Sequence, residues 1–242
     1  MKPISKALWS TTSAKAAKAT GYGYLNAIHY MAPHEIAGVG NLCPFASPGC
    51  AAACLGYHTG QASMVANSAD TRSKNNVRRS RDAKAVAYMT RRHEYRVEMA
   101  KQLDKLKAKA KREGLKLAIR FNGSTDIVGE PVILAMSHPE VPVNEYTKSK
   151  AFALKNARGE HPSNLRVCFS RSEVNEEDCV EVLASGGIVS VVFRGELPAT
   201  WRGFEVVNGD EHDLLHKWPR GVVVGLKAKG AAKKDTTGFV VG

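Results

Sequence analysis

The sequence predicts an α/β fold, a compact or incomplete TIM-like parallel barrel with an N-terminal cysteine loop. Three observations lead to it. Strand-like and helix-like stretches alternate along the chain, which argues for parallel pairing through crossover connections. Several strand candidates are apolar on both faces, as strands covered on both sides are. Polar turn residues follow one strand candidate after another, and the ends of the strands are where a parallel barrel carries its active site. A doubly wound open sheet is the alternative, and the connections after Gly195 are too short for full helices in either arrangement.

Residues 1–20, rich in Ala, Ser, Thr and Lys with little periodicity, read as an arm or a short helix lying over the surface. Residues 21–242 read as one domain, because a chain of 242 residues, 43% of them hydrophobic, can bury one substantial core. The mixed aromatic and aliphatic run Tyr24 to Met31 predicts the first strand, ending before Pro33. Gly38 to Gly60 then holds Pro44, Pro48, Gly49 and Gly56, residues that bend a chain, and reads as a loop able to wrap around a ligand. From Arg72 to Gly114 the apolar residues Val86, Met89, Val97, Met99, Leu103, Leu106 and Ala110 recur at three- and four-residue steps. That spacing predicts one long amphipathic helix or two in succession, stopped by Gly114. Leu115 to Phe121 is the next strand, and a short helix follows Pro131 to Met136. Further strands are expected at Leu165 to Phe169, Ile188 to Phe193, Phe204 to Val207 and Val222 to Leu226, with a helix from Glu173 to Ala184 stopped by Gly186-Gly187.

No stretch approaches the roughly 18 apolar residues of a membrane span, and Met1 to Ser10 lacks the apolar core of a secretory leader, so a cytoplasmic protein without membrane contact is expected. The net charge of +12 is concentrated: residues 72–116 hold 16 Lys or Arg against 5 Asp or Glu. Such a segment suits the solvated face of a helix, and it is also a possible contact for nucleic acid.

Five cysteines, three of them within twelve residues, do not suit a disulfide framework and point to metal ligation. Cys43, Cys50 and Cys54 are spaced C-x6-C-x3-C in a loop whose small residues let backbone amides approach the sulfurs. An iron–sulfur cluster, 4Fe-4S or 3Fe-4S after oxidation, is the first reading. Zinc is the rival, with His58 available as a fourth ligand. Cys168 and Cys179 stand apart, in a strand and a helix, where burial is their expected role. Three thiolates leave one iron of a 4Fe-4S cluster open to act as a Lewis acid.

Asn122, Ser124 and Asp126 follow one strand, Ser170 and Arg171 another, and Asn208 and Asp210 a third, so these side chains are expected to converge with the cysteine loop on a pocket for a small molecule. Asp126 or Asp210 suits a general base, and Lys148, Arg171, Lys227 or Lys229 suits an anionic group or a developing oxyanion. Asn, Ser, Gly and Asp are equally ordinary turn formers. His212, Asp213 and His216 can be read as a second metal site or, more commonly, as surface residues.

The cysteine loop, the run Arg120-Phe121-Asn122-Gly123-Ser124-Thr125-Asp126, the triplet Tyr146-Thr147-Lys148, the turn Asn208-Gly209-Asp210 and the ending Val223 to Gly230 together resemble a bacteriophage and prophage family named only as gene product eighty-eight, over about residues 20 to 232. The resemblance implies a small relative of iron–sulfur TIM barrels such as radical S-adenosylmethionine enzymes, and location in the host bacterial cytoplasm. Those enzymes typically carry C-x3-C-x2-C, and no motif for the amino group of that cosubstrate follows the second strand here. Lewis-acid hydrolysis of an ester-type substrate, with Cys43, Cys50 and Cys54 holding the cluster and Asn122, Ser124, Asp126, Lys148 and Asp210 as the catalytic set, therefore ranks ahead of radical chemistry. A nucleic-acid-binding module with a structural metal is the reading from another class.

Overall fold

The computed structural model describes residues 4, 7–54 and 76–242. Trp9–Ser10 form β1, antiparallel to β2 (Tyr24–His29), and α1 (Ala14–Lys18) lies between them. The cysteine loop then leads into α2 (Pro48–Ala52). Of the predicted alternatives, one long helix or two in succession, the structure has two, α3 (Asn76–Thr90) and α4 (Arg92–Arg112), which precede β3 (Lys116–Arg120). Alternation continues through α5 (Gly129–Ser137), β4 (Val143–Thr147), α6 (Lys150–Ala157), β5 (Leu165–Ser170), α7 (Glu176–Ala184) and β6 (Ile188–Phe193). A hairpin of β7 (Thr200–Trp201) and β8 (Phe204–Asn208) comes next, and β9 (Val223–Lys227) returns to lie between β6 and β8.

All nine strands join in the order β1-β2-β3-β4-β5-β6-β9-β8-β7, parallel from β2 to β8 and antiparallel at both ends. The α/β class and the mostly parallel sheet are as predicted, but the sheet does not close on itself. From β2 to β6 the strands lie side by side in chain order. They lack the reversal at which a doubly wound sheet opens its ligand crevice.

The strand β4 and the helix α6 are among the elements that went unforeseen. In β4 the polar pair Asn144 and Glu145 breaks the apolar pattern, yet both are fully buried. With β4 unread, α6 behind it was unread too. Residues 1–20 also differ from a loose arm where they are described, since Leu8, Trp9, Ala16 and Ala19 are buried and β1 pairs with β2.

Side chains alternate across the sheet. Leu25, Ala27, Leu117, Ile119, Phe121, Val143, Val167, Phe169, Val189 and Val191 meet Tyr88, Tyr95, Met99, Leu103, Leu134, Phe152, Val182 and Leu183 of the helices in the main core. On the other face Cys168, Ile188, Val222 and Val224 pack beneath Leu215 and Trp218, while Ala118 meets Leu214 and Ala19. The segment around Leu214 to Trp218 thus closes one end of this second face and leaves its C-terminal end for a cavity. Among the described residues no helix is long and apolar enough to cross a membrane.

Glu145 lies on the helix-facing side and accepts the backbone N–H groups of Phe121 and Asn122. Burial pushes its carboxyl up to about 7, against the opposing pull of Arg120 and those N–H donors. The folded chain therefore keeps a proton that the unfolded chain releases near pH 4.5, and this contribution to stability is lost as pH rises through about 7. Two histidines, the buried His29 and the half-buried His216, act with the opposite sign: burial holds His29 down to about 3 and His216 to about 4, so their contribution is lost as pH falls below the usual histidine range. The Glu145 effect is consequently isolated by comparison with Glu145→Gln. Urea unfolding at pH 5 and pH 8 should show wild type losing roughly 3 kcal/mol relative to that variant on going to the higher pH; parallel pH profiles would remove the assignment.

Candidate active site

The cysteine loop is held from two sides. Cys43 is buried, its backbone N–H donating to Asn41 Oδ1 at 2.8 Å and its thiol facing the Ser124 carbonyl at 3.7 Å. Ser47 caps α2 by accepting from Cys50 N–H, and Pro48 opens the helix. The carboxylate of Glu173, just beyond β5, accepts from Gly49 N–H at 2.7 Å and from the Ser47 hydroxyl at 2.8 Å. Burial pushes that carboxyl up, but the Gly49 N–H, the Ser47 hydroxyl and nearby Lys148 together hold it below the usual range. Gly49 has no room for a side chain: a Cβ there would stand 2.5 Å from Thr237 Oγ1 and 2.7 Å from Glu173 Oε2.

The turn after β3 is equally tight. Gly123 N–H donates to the His29 carbonyl at 2.9 Å, and a Cβ at this position would stand 2.5 Å from that same oxygen. Asn122 Oδ1 accepts from Thr125 Oγ1 and Ile127 N–H, while its Nδ2 donates to the Ile127 carbonyl. Ser124 Oγ donates to the Met31 carbonyl at 2.6 Å. Asp126 accepts from Thr147 Oγ1 at 2.7 Å and Lys148 N–H at 2.8 Å, which ties this turn to the end of β4. Burial raises its carboxyl despite both donors. Asp210 accepts from Lys229 Nζ and Lys227 N–H, and Lys148 Nζ stands 5.6 Å from the center of the Phe239 ring.

All of these side chains border one cavity of about 940 Å3 at the C-terminal edge of the strands: Cys43, Cys50 and Cys54 with Asn122, Ser124, Asp126, Lys148 and Asp210. The expected turn-forming role of Asn122, Ser124 and Asp126 is visible in their hydrogen bonds, and it coexists with their place on the cavity wall. Ser170 and Ser190 sit on the same wall, their hydroxyls 3.2 Å apart.

Burial, reinforced by Asp126, Cys54 and Cys50, pushes the Cys43 thiol up to about 12. Cys50 and Cys54, near enough to oppose ionization of Cys43, would with it suit a cationic center, which stabilizes thiolates. Among the described residues no three His, Cys, Asp or Glu side chains are gathered as a ready metal site, and His58 lies outside the described residues. Cys168 and Cys179 are fully buried. Neither borders the cavity among the described residues, in keeping with the structural role expected of them.

The cavity also holds groups that the sequence did not single out. Arg120 donates through Nη1 to Asp213 at 3.0 Å and through Nε to the Asn122 carbonyl at 2.9 Å, with its guanidinium 4.3 Å from the center of the Tyr146 ring. Asp213 is completely buried and paired with Arg120, so it is not a surface residue, and among the described residues it forms no metal group with His212 and His216. His212 stacks on Trp218 at 4.4 Å, and His216 Nδ1 lies 3.0 Å from Asn144 Oδ1; both help close the far end of the sheet. On α3, Arg81 and Lys84 border the cavity as well. Burial, with Arg81 second, brings the Lys84 ammonium down to about 8. The basic face of α4, with Lys101, Lys105, Lys111 and Arg112 exposed, instead points away from the core formed by Tyr95, Met99, Leu103 and Ala110.

The family model described as Gene product 88 matches residues 5–241. No curated protein and no solved structure matches the chain.

Proposed function

Starting from a chain that belongs to the Gene product 88 family, a family of phage gene products, we propose that this protein is an iron–sulfur enzyme that hydrolyzes a small ester-type substrate in the cavity at the strand ends. The observation that carries the reading is the meeting of three thiols of one loop with the polar ends of β3 and β4 around a single cavity. The open sheet is read as the wall of an incomplete TIM-like barrel, with strands in chain order and the thiol loop following the first parallel strand.

Cys43, Cys50 and Cys54 would hold the cluster, which supplies a Lewis-acidic iron when bound. Asp126 is assigned the proton: its carboxyl is raised by burial, and Thr147 and Lys148 fix its orientation. Lys148 is assigned a negative group of the substrate, and Asn122 and Ser124 keep the turn that carries Asp126 against β2. On a panel of activated esters, holo protein should be active without reductant or S-adenosylmethionine, and Asp126→Asn should lose about 100- to 10,000-fold in kcat/KM. Equal rates for holo and cluster-free protein would refute the proposal.

The position of the thiol loop after the first of the consecutive parallel strands favors one further reading, radical chemistry with S-adenosylmethionine. It predicts reductive release of 5′-deoxyadenosine and no cluster-dependent ester hydrolysis. The nucleic-acid reading draws on α4 rather than on the cavity, and it requires an affinity that falls steeply with salt.

A further inference from the structure

The cavity contains several basic side chains, but most already have a partner. Arg171 is paired with Glu176, Lys227 with Glu196 and Lys229 with Asp210, and Arg120 is paired with buried Asp213. Arg81 and Lys84 differ. They stand three residues apart on α3, a spacing that puts both on one face of a helix, and both border the cavity. Lys84 is only 8% exposed, and its ammonium donates to the Leu8 carbonyl at 3.3 Å. The Arg81 guanidinium lies 4.9 Å from the center of the Tyr30 ring, and its Nη1 is buried without a hydrogen-bond acceptor. Among the described residues neither forms an ion pair with a carboxylate.

Two neighboring cations withdrawn from water without an anion are expensive to keep. Their position on a cavity wall, beside the hydroxyl-bearing residues Ser10, Ser13 and Ser80, gives that anion a place to sit. We propose that Arg81 and Lys84 form an oxyanion-binding site that takes a carboxylate or phosphate group of the small molecule entering the cavity. A guanidinium offers paired donors and an ammonium a compact charge, a combination suited to either group. The site shares its cavity with the cysteine loop, and Cys54 is near enough to favor the Arg81 charge, but it takes none of the catalytic roles given above.

The test uses the full chain carrying Cys43→Ser, Cys50→Ser and Cys54→Ser, so that no cluster contributes. Its Tm is followed against inorganic phosphate and, separately, acetate, with ionic strength held constant by chloride. A saturable rise of roughly 5–10 °C at hundredfold excess over Kd is expected from at least one of them, and the anion that produces it identifies the group. Arg81→Gln and Lys84→Met should each weaken the apparent Kd about tenfold or more, while Lys101→Gln on exposed α4 should leave it unchanged. If Lys84→Met does not fold, Arg81→Gln decides. No response beyond the chloride control, or an unchanged Kd in Arg81→Gln, overturns the proposal and leaves the cluster reading untouched.

Discussion

Protein reconstituted anaerobically with iron and sulfide is expected to carry about four of each per chain, or about three irons after oxidation, and Cys43→Ala, Cys50→Ala or Cys54→Ala should each abolish retention. The effect is all or none because the ligands come from one short loop. Removing any thiolate leaves two, and neither remaining cysteine replaces it, since Cys168 in β5 and Cys179 in α7 are sealed in the core. Cys168→Ala and Cys179→Ala should therefore keep the cluster and lose on the order of 1 kcal/mol of stability through small cavities. Iron and sulfide analysis with absorbance near the visible cluster bands separates the cases. Stoichiometric zinc without sulfide would replace the cluster reading by a structural metal, and an empty site in Cys168→Ala would remove the open iron.

Asp213→Ala should destabilize the protein by about 3–5 kcal/mol, the range for a buried ion pair that loses one member. Asp213 is fully buried and Arg120 nearly so, and the 3.0 Å contact between them joins residues 93 positions apart. Without Asp213 the Arg120 charge keeps the Asn122 carbonyl, the Tyr146 ring and the more distant Glu145 carboxyl, none of which replaces a directly paired carboxylate. Arginine stays protonated throughout the accessible pH range, so it cannot escape by neutralizing. The double variant Arg120→Met/Asp213→Leu should recover most of the loss, because a packed apolar pair often matches a buried ion pair in stability. Urea unfolding of the three proteins checks both statements; a loss below about 1 kcal/mol for Asp213→Ala would mean that water reaches the pair.

The sequence by itself determined the alternation of strands and helices, the mostly parallel sheet, the thiol loop after the first long strand and the polar turn after β3. Each of these is written in local spacing: apolar runs in β3, β5 and β6, three- and four-residue steps in α4, and cysteines within one loop. Tertiary structure alone decided the rest. The strand β4 was hidden because Asn144 and Glu145 look solvent-seeking until His216 and the backbone of Phe121 and Asn122 arrive as partners from other elements. Asp213 reads as a surface residue until Arg120 meets it. Helical periodicity separated a buried stripe from a basic one, but it could not show that Arg81 and Lys84 turn toward the cavity. The final order β6-β9-β8 likewise depends on where the hairpin docks. The physical reason is the same throughout: apolar residues announce their burial by pattern, whereas a polar or charged residue becomes buriable only when a distant partner satisfies it.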